Sequence, residues 1–477
     1  MIENLIKLLG FNIIANLILI IGLPLVSNFY TPQVYGSFAV LASLISVVSP
    51  IICLRYDLAI PLGRTEKGLK TLFYLSLLSC IMLSLIALVI FFILDYFFPI
   101  YDENIYSATD IIFVFLIILL NGFLSSYSFL KVGEGNFTSI GASKFFGSSF
   151  LVSLQVILSK IGLLGLLMAQ LFSAAVQILI LHYDKIFRKE KISYSNEKIS
   201  FSAIKSTASE YIEYPKISTP AQLMNLLCSF LPLWYITSVF GLEWAGLYAI
   251  TSKLILGPFD ILNKTLYDIL YGRLSKIIDS NERSRVSFLV LKFIRRMVLP
   301  IFLTILIFVF PLYRVLFNEE WLDGEIFLAI HLAVACSGLM VLPLSGPLIQ
   351  IFRVQSMSFK FQTILFILRF LGLYCGYLID SNILYPLFGY ALGTLVSHMY
   401  LSFWVYRKSA SKNELIRNFL EYSLLLSVIF FITWFWTSSG YETYNNVFSI
   451  LIFIFIAMYL IRIKDEIIFT YNQLKLL

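Results

Sequence analysis

WAGLYAITSKLILGPFDILNKTLYDILY, residues 244–271, is an apolar stretch about the length of a membrane span, yet it carries Lys253, Asp260, Lys264 and Asp268. Each of these charges is costly in hydrocarbon. Spacings of seven, four and four residues bring them to roughly one side of a helix, where they can turn together away from lipid and toward a protein-lined, wet interior. The rest of the chain reads as the wall of that interior.

The composition supports this reading. Of 477 residues, 59% are hydrophobic and only 13% charged, far from the balance of a water-soluble domain. Taking roughly 20 apolar residues per span, helices are expected near 8–28, 37–60, 71–94, 110–130, 145–161, 163–182, 217–240, 245–270, 293–317, 326–351, 361–379, 385–406, 418–438 and 447–463. The fold class is thus an all-α integral membrane protein with about 14 transmembrane helices. Residues 1–7 run into the first span without a small-residue cleavage site, so that span reads as retained and not as a signal peptide. Five scattered cysteines, with no CxxC spacing, imply neither a disulfide framework nor a metal site. No cofactor is implied.

Lys and Arg outnumber Asp and Glu by 35 to 28, an excess better explained by topology than by a nucleic-acid partner. Basic residues alternate strictly between loops. One side holds Arg64, Lys67 and Lys70, then Lys131 and Lys144, the run from Lys185 to Lys216, the cluster from Arg273 to Arg296, and Arg407 to Arg417. The other side holds acidic residues such as Asp102, Glu103, Glu319, Glu320 and Asp380, with only Lys160 and Arg314 against them. By the positive-inside rule the basic side is cytoplasmic, which puts both termini inside.

The only long hydrophilic connection, residues 182–216, is basic and Ser-rich and reads as a solvated linker near anionic headgroups. It separates two similar stretches. Leu23-Pro24-Leu25, a short turn and Gly36-Ser37-Phe38-Ala39-Val40 match Leu231-Pro232-Leu233, a short turn and Gly246-Leu247-Tyr248-Ala249-Ile250. Six spans lie between the copies, so both halves enter the membrane in the same direction and the repeat is parallel. The expected organisation is a six-helix lobe over 1–182, a linker over 183–216, a second six-helix lobe over 217–406, and two further helices with a tail over 407–477. The lobes would face each other across a central cleft.

The turn Tyr30-Thr31-Pro32-Gln33-Val34-Tyr35-Gly36, followed by Phe38-Ala39, and the element Leu54-Arg55-Tyr56-Asp57-Leu58-Ala59-Ile60-Pro61 carry a resemblance. Here the chain is similar to lipid-linked oligosaccharide flippases of the O-antigen (Wzx-like) branch, in the superfamily that also holds the multidrug and toxin extrusion (MATE) transporters. The resemblance implies a two-lobed core of 12 helices, with helices 1, 2, 7 and 8 lining the cleft and an extra pair at the C-terminus. It also implies passage of an undecaprenyl-pyrophosphate-linked sugar repeat across the bacterial inner membrane by alternating access. Membrane lipid, a coupling proton or sodium ion, and proteins of polysaccharide polymerisation are the partners it suggests.

Such a cargo needs shelter only for its head, so a path for it should offer cations to replace phosphate hydration. Arg55, Lys253, Lys264 and Arg369 are the basic residues closest to or inside hydrocarbon, and are the candidate substrate-binding residues. A repeat offset of about 210 residues carries Arg55 near Lys264 and Asp57 near Asp268. Two readings stay open for Arg55 and Lys264: a paired anion receptor at the cytoplasmic mouth, or side chains that snorkel to the interface. Asp57, Asp260 and Asp268 are candidates for ion coupling or for pairing with these cations. Arg369 has the alternative of anchoring its helix. Intramembrane Gln155, Gln170, Gln177, Gln222 and Asn225 either bond sugar hydroxyls or hold helices together. Phosphate-binding glycine loops, metal spacings and nucleophile elbows are absent from the sequence, which argues against an enzyme. The rival functions are a drug/cation antiporter, which would want a carboxylate in the first-lobe cleft, and an O-antigen polymerase or ligase, which would want large basic outer loops.

Overall fold

The computed structural model describes residues 2–97, 107–183 and 200–409, apart from 64, 276, 278 and 353, together with scattered positions between 416 and 431. The expected span 447–463 and most of 418–438 lie outside the described residues. Among those described, regular structure is helical throughout, and ten helices are long and apolar enough to cross a membrane. The helices are α1 (Ile2–Ser27), α2 (Pro32–Val48), α3 (Glu66–Phe97), α4 (Ala108–Gly133), α5 (Phe137–Ile157), α6 (Leu163–His182), α7 (Phe201–Glu210), α8 (Thr219–Phe240), α9 (Leu242–Leu274), α10 (Ser280–Leu316), α11 (Leu328–Leu339), α12 (Leu342–Ile351), α13 (Gln355–Ile379) and α14 (Leu384–Ser409).

Local chemistry explains most of the boundaries. Thr31 caps α2 by accepting from the Val34 N–H, and Pro32 supplies the fixed φ suited to a first helical position. Ser107 and Asp110 form a reciprocal capping box at the start of α4. Asp279 accepts from the N–H groups of Asn281 and Glu282 to start α10. Gly241, at φ +89°, makes the one-residue turn between α8 and α9 that a residue with a Cβ would resist.

Two expected spans take a different form. The span 37–60 is α-helical only to Val48: Pro50 cannot continue the helical ladder, and residues 49–55 run through turns into a 3-10 helix at Tyr56–Leu62. The span 326–351 is two helices, because the ring of Pro343 conflicts with the carbonyl one turn back and α11 stops at Leu339. Every residue of α11 is buried, so it forms the centre of its packing unit. The stretch read as a solvated linker contains α7, capped by Ser200, and a π-type turn at Tyr214–Ser218.

The chain divides into two compact units, Met1–Phe230 with Gly241–Gly246, and Leu231–Phe240 with Leu247–Leu477. In the first, α1, α4 and α6 pack around α5, and α3 and α4 flank the 3-10 segment. Tyr30 ties the α1–α2 turn to α5 by donating to the Gln155 carbonyl at 2.7 Å, and burial pushes its phenol up to about 12. Within this same unit the repeated turns touch each other. A Cβ on Gly36 would stand 1.8 Å from the Leu242 carbonyl oxygen, and one on Gly246 would stand 1.9 Å from that of Pro32. Pro32 and Leu242, like Gly36 and Gly246, are 210 residues apart, so the contact is a reciprocal one between equivalent positions.

In the second unit α13 and α14 form the closest helix pair. Gly372 on α13 and Gly389 on α14 face each other, Gly376 faces Tyr385 and Gly393 faces Leu368, and an added Cβ on any of the four would fall within about 2.5 Å of a facing carbonyl oxygen. Small residues four apart on both faces let two membrane helices approach backbone to backbone.

Candidate functional site

Downstream of α2 the backbone does something rare. Leu54 (φ 51°) and Arg55 (φ 60°) are consecutive left-handed residues, and they are the only non-glycine residues with positive φ among those described. Neither has the short polar side chain that tolerates this region, so the surroundings must impose it. Arg55 is partly buried, and its Nε is shielded from solvent without a hydrogen-bond partner. Two residues on, Asp57 is 2% exposed. Its Oδ2 accepts from Ser125 Oγ of α4 at 2.6 Å, its Oδ1 is buried without a partner, and Arg55 lies within electrostatic reach. A guanidinium and a carboxylate are therefore brought together on one strained turn.

The four charges on α9 lie on a helix that runs unbroken through Pro258. Lys253, Asp260, Lys264 and Asp268 are all exposed. At about 100° per residue they span an arc of about 80°, with exposed Leu262 and Ile269 on the opposite face. The face is amphoteric, with cations and carboxylates alternating along the helix axis.

Arg369 occupies a different environment. It is 8% exposed between α13 and α14, one turn before Gly372. Its Nε donates to Thr394 Oγ1 at 2.9 Å, and its guanidinium carbon lies 4.8 Å from the centre of the Tyr390 ring. Thr394 in turn donates to the Tyr390 carbonyl. Nearby in this unit, His398 pairs with Ser337 at 2.8 Å and His331 packs on Tyr248. Of the polar residues considered for sugar contact, Gln177 donates to Ser173, whose hydroxyl reaches the Gly147 carbonyl across the α5–α6 pair. No group of three metal-ligating side chains occurs among the described residues.

Sequence reasoning missed Ser125 and Tyr56. Ser125 is one of many serines in apolar helices, and its contact with Asp57 spans 68 residues, so no local pattern marks it. Tyr56 donates to the Ala208 carbonyl at 3.3 Å and so joins the strained turn to α7. The signal for that contact was legible in part, because Ala203, Ile204, Thr207, Ala208 and Tyr211 recur at helical spacing behind the Ser200 cap.

Comparisons with known proteins agree with this architecture. The polysaccharide biosynthesis protein family profile matches residues 25–325. No curated protein sequence matches. Among solved structures, the lipid II flippase MurJ in an inward closed conformation aligns with a TM-score of 0.67 at 14% identity, over 98% of this chain and 100% of that one. An inward-facing MATE family multidrug resistance transporter of the MOP superfamily aligns at 0.63 and 14% identity, over 85% and 95%. A MOP superfamily transporter from Pyrococcus furiosus, described as having a binding pocket of reversed polarity, aligns at 0.55 and 13% identity, over 84% and 94%. At such identities the structural likeness speaks to the fold alone, and the family follows from the profile match. The chain belongs to the polysaccharide biosynthesis protein family and is a multi-pass membrane protein with the fold of the MOP-superfamily flippases and transporters.

Proposed function

We propose that this protein is a transporter, not an enzyme, and that it flips an undecaprenyl-pyrophosphate-linked oligosaccharide, such as an O-antigen repeat unit, from the cytoplasmic to the periplasmic leaflet of the bacterial inner membrane. The observation that carries the reading is Arg55: a guanidinium held on a strained, partly buried turn with a shielded nitrogen lacking a protein partner, inside the region shared with a polysaccharide biosynthesis family. A diphosphate is the ligand chemistry such a group favours, because it offers several acceptor oxygens to a planar donor fork.

On this reading Arg55, and separately the α9 cations Lys253 and Lys264, each offer positive charge to the anionic head while the polyprenyl tail stays in lipid. Asp57, Asp260 and Asp268 hold those cations in the absence of cargo or take up the coupling proton or sodium ion. Arg369, buried and bonded inside its own helix pair, fits the role of anchor better than that of ligand. Alternating access moves the head across, with both termini cytoplasmic. The exposed, mixed-charge face of α9 is also compatible with a drug/cation antiporter, so the test must separate charge from cargo.

Complementation of a flippase-deleted strain does so. Arg55→Ala and Lys253→Ala should abolish surface polysaccharide at normal protein level, whereas Arg369→Ala should act through reduced protein level. If polysaccharide persists in both Arg55→Ala and Lys253→Ala, the assignment of these cations to the substrate is wrong.

A further inference from the structure

Residues 201–214 pack against the 3-10 segment Tyr56–Leu62 that directly follows the strained turn. Tyr211 and Tyr214 lie against the buried cluster of Ala59, Ile60, Leu72 and Phe73, and α7 packs along α3. The docked face of α7 is Ala203, Ile204, Thr207 and Ala208, with Phe201, Lys205 and Glu210 exposed. Ala208 belongs to the last helical turn, whose carbonyls have no partner within the helix, and its oxygen takes the Tyr56 hydroxyl. On the other side the turn is gripped by Ser125 through Asp57. Left-handed Leu54 and Arg55 persist only because surrounding contacts over-determine them. The contacts fall into two sets: those from α3 and α4, and those from the connection between the repeats.

We propose that α7 and the following Tyr211–Tyr214 segment act as a strap that holds Leu54 and Arg55 in the left-handed conformation, making Tyr56, Tyr211 and Tyr214 positioning residues for the Arg55 guanidinium. The proposal rests on the reading of Arg55 as a receiver of the substrate diphosphate. The connection between the two repeats therefore sets the geometry of the cation. A strap that lifts lets the turn relax toward ordinary backbone and swings the guanidinium away from its receiving position.

Glycine provides the test, because it adopts the left-handed region without cost. In the full-length protein, Tyr211→Ala combined with Tyr214→Ala should lower transport of the lipid-linked oligosaccharide about tenfold at equal membrane level, by letting the turn leave its strained geometry. Adding Leu54→Gly to that double variant should restore most of the activity, which a purely structural defect in the linker would not allow. Tyr211→Phe with Tyr214→Phe should transport normally. Should the alanine pair fail to accumulate, Tyr56→Phe, with and without Leu54→Gly, carries the same test with the same signs. Normal transport by the alanine pair, or loss that Leu54→Gly does not relieve, overturns the strap. Normal transport by Arg55→Ala in the same assay overturns instead the reading of Arg55 on which the strap depends.

Discussion

Asp57 and Ser125 illustrate how little separates a functional carboxylate from a liability. The buried Asp57 carboxyl depends on the Ser125 hydroxyl, on the backbone N–H groups of Asp57 and Leu58, and on neighbouring Arg55. Ser125→Ala should destabilise the protein by about 1–2 kcal/mol, read as a lower unfolding temperature in detergent. An unchanged unfolding temperature would mean that Ser125 does not hold the carboxyl. Lys253 is exposed, so its replacement should have the opposite profile. Lys253→Ala should keep the unfolding temperature and lose transport, while Lys253→Arg, which keeps the charge, should retain substantial transport. Equal transport by the alanine and arginine variants would remove the charge from the account.

At the scale of elements, two glycine contacts make sharp predictions. Gly389→Val inserts a side chain where even a Cβ would stand 1.9 Å from the Gly372 carbonyl oxygen, so α13 and α14 must part and the second unit should lose stability markedly. A thermal melt in detergent checks this. The reciprocal contact of Gly36 and Gly246 makes a different forecast. Gly36→Ala and Gly246→Ala should have similar effects on stability. The double variant should cost clearly less than their sum, since one separation of the two turns accommodates both methyl groups. Strict additivity would show that the two glycines do not share a contact.

Elements were also where the sequence was most legible. Apolar length placed the helices, and the matched Leu-Pro-Leu and Gly-x-aromatic-Ala patterns pointed to turns that do meet as equivalents. Pro50 and Pro343 carried the information needed to end α2 at Val48 and to split the span over 326–351, but an apolar window averages over a single proline. The left-handed Leu54 and Arg55 were not legible, because neither residue type advertises positive φ and the partners of the next residues, Tyr56 and Asp57, come from α7 and α4, far along the chain. Similarly, Arg369 and Lys253 are alike as basic residues in apolar segments. Only packing distinguishes the one that bonds Thr394 from the one that is exposed.

For the whole molecule, family and fold narrow the function to polysaccharide biosynthesis carried out with a MOP-type helical bundle. On the proposed account the physical problem is to move a hydrophilic, doubly phosphorylated head through a low-dielectric layer without trapping it. Cations interleaved with carboxylates answer both halves of the problem on the proposed account. Arg55, Lys253 and Lys264 replace water around the diphosphate, while Asp57, Asp260 and Asp268 compete for the same cations and allow release. The most direct measurement is flipping of an undecaprenyl-pyrophosphate-linked oligosaccharide in proteoliposomes, compared with a neutral polyprenyl glycolipid of the same sugar, by wild type and by Arg55→Ala with Lys253→Ala. The account predicts that wild type moves the diphosphate lipid in strong preference to the neutral one and that the double variant loses this movement. Equal transport of both lipids, or undiminished transport of the diphosphate lipid by the variant, would contradict it.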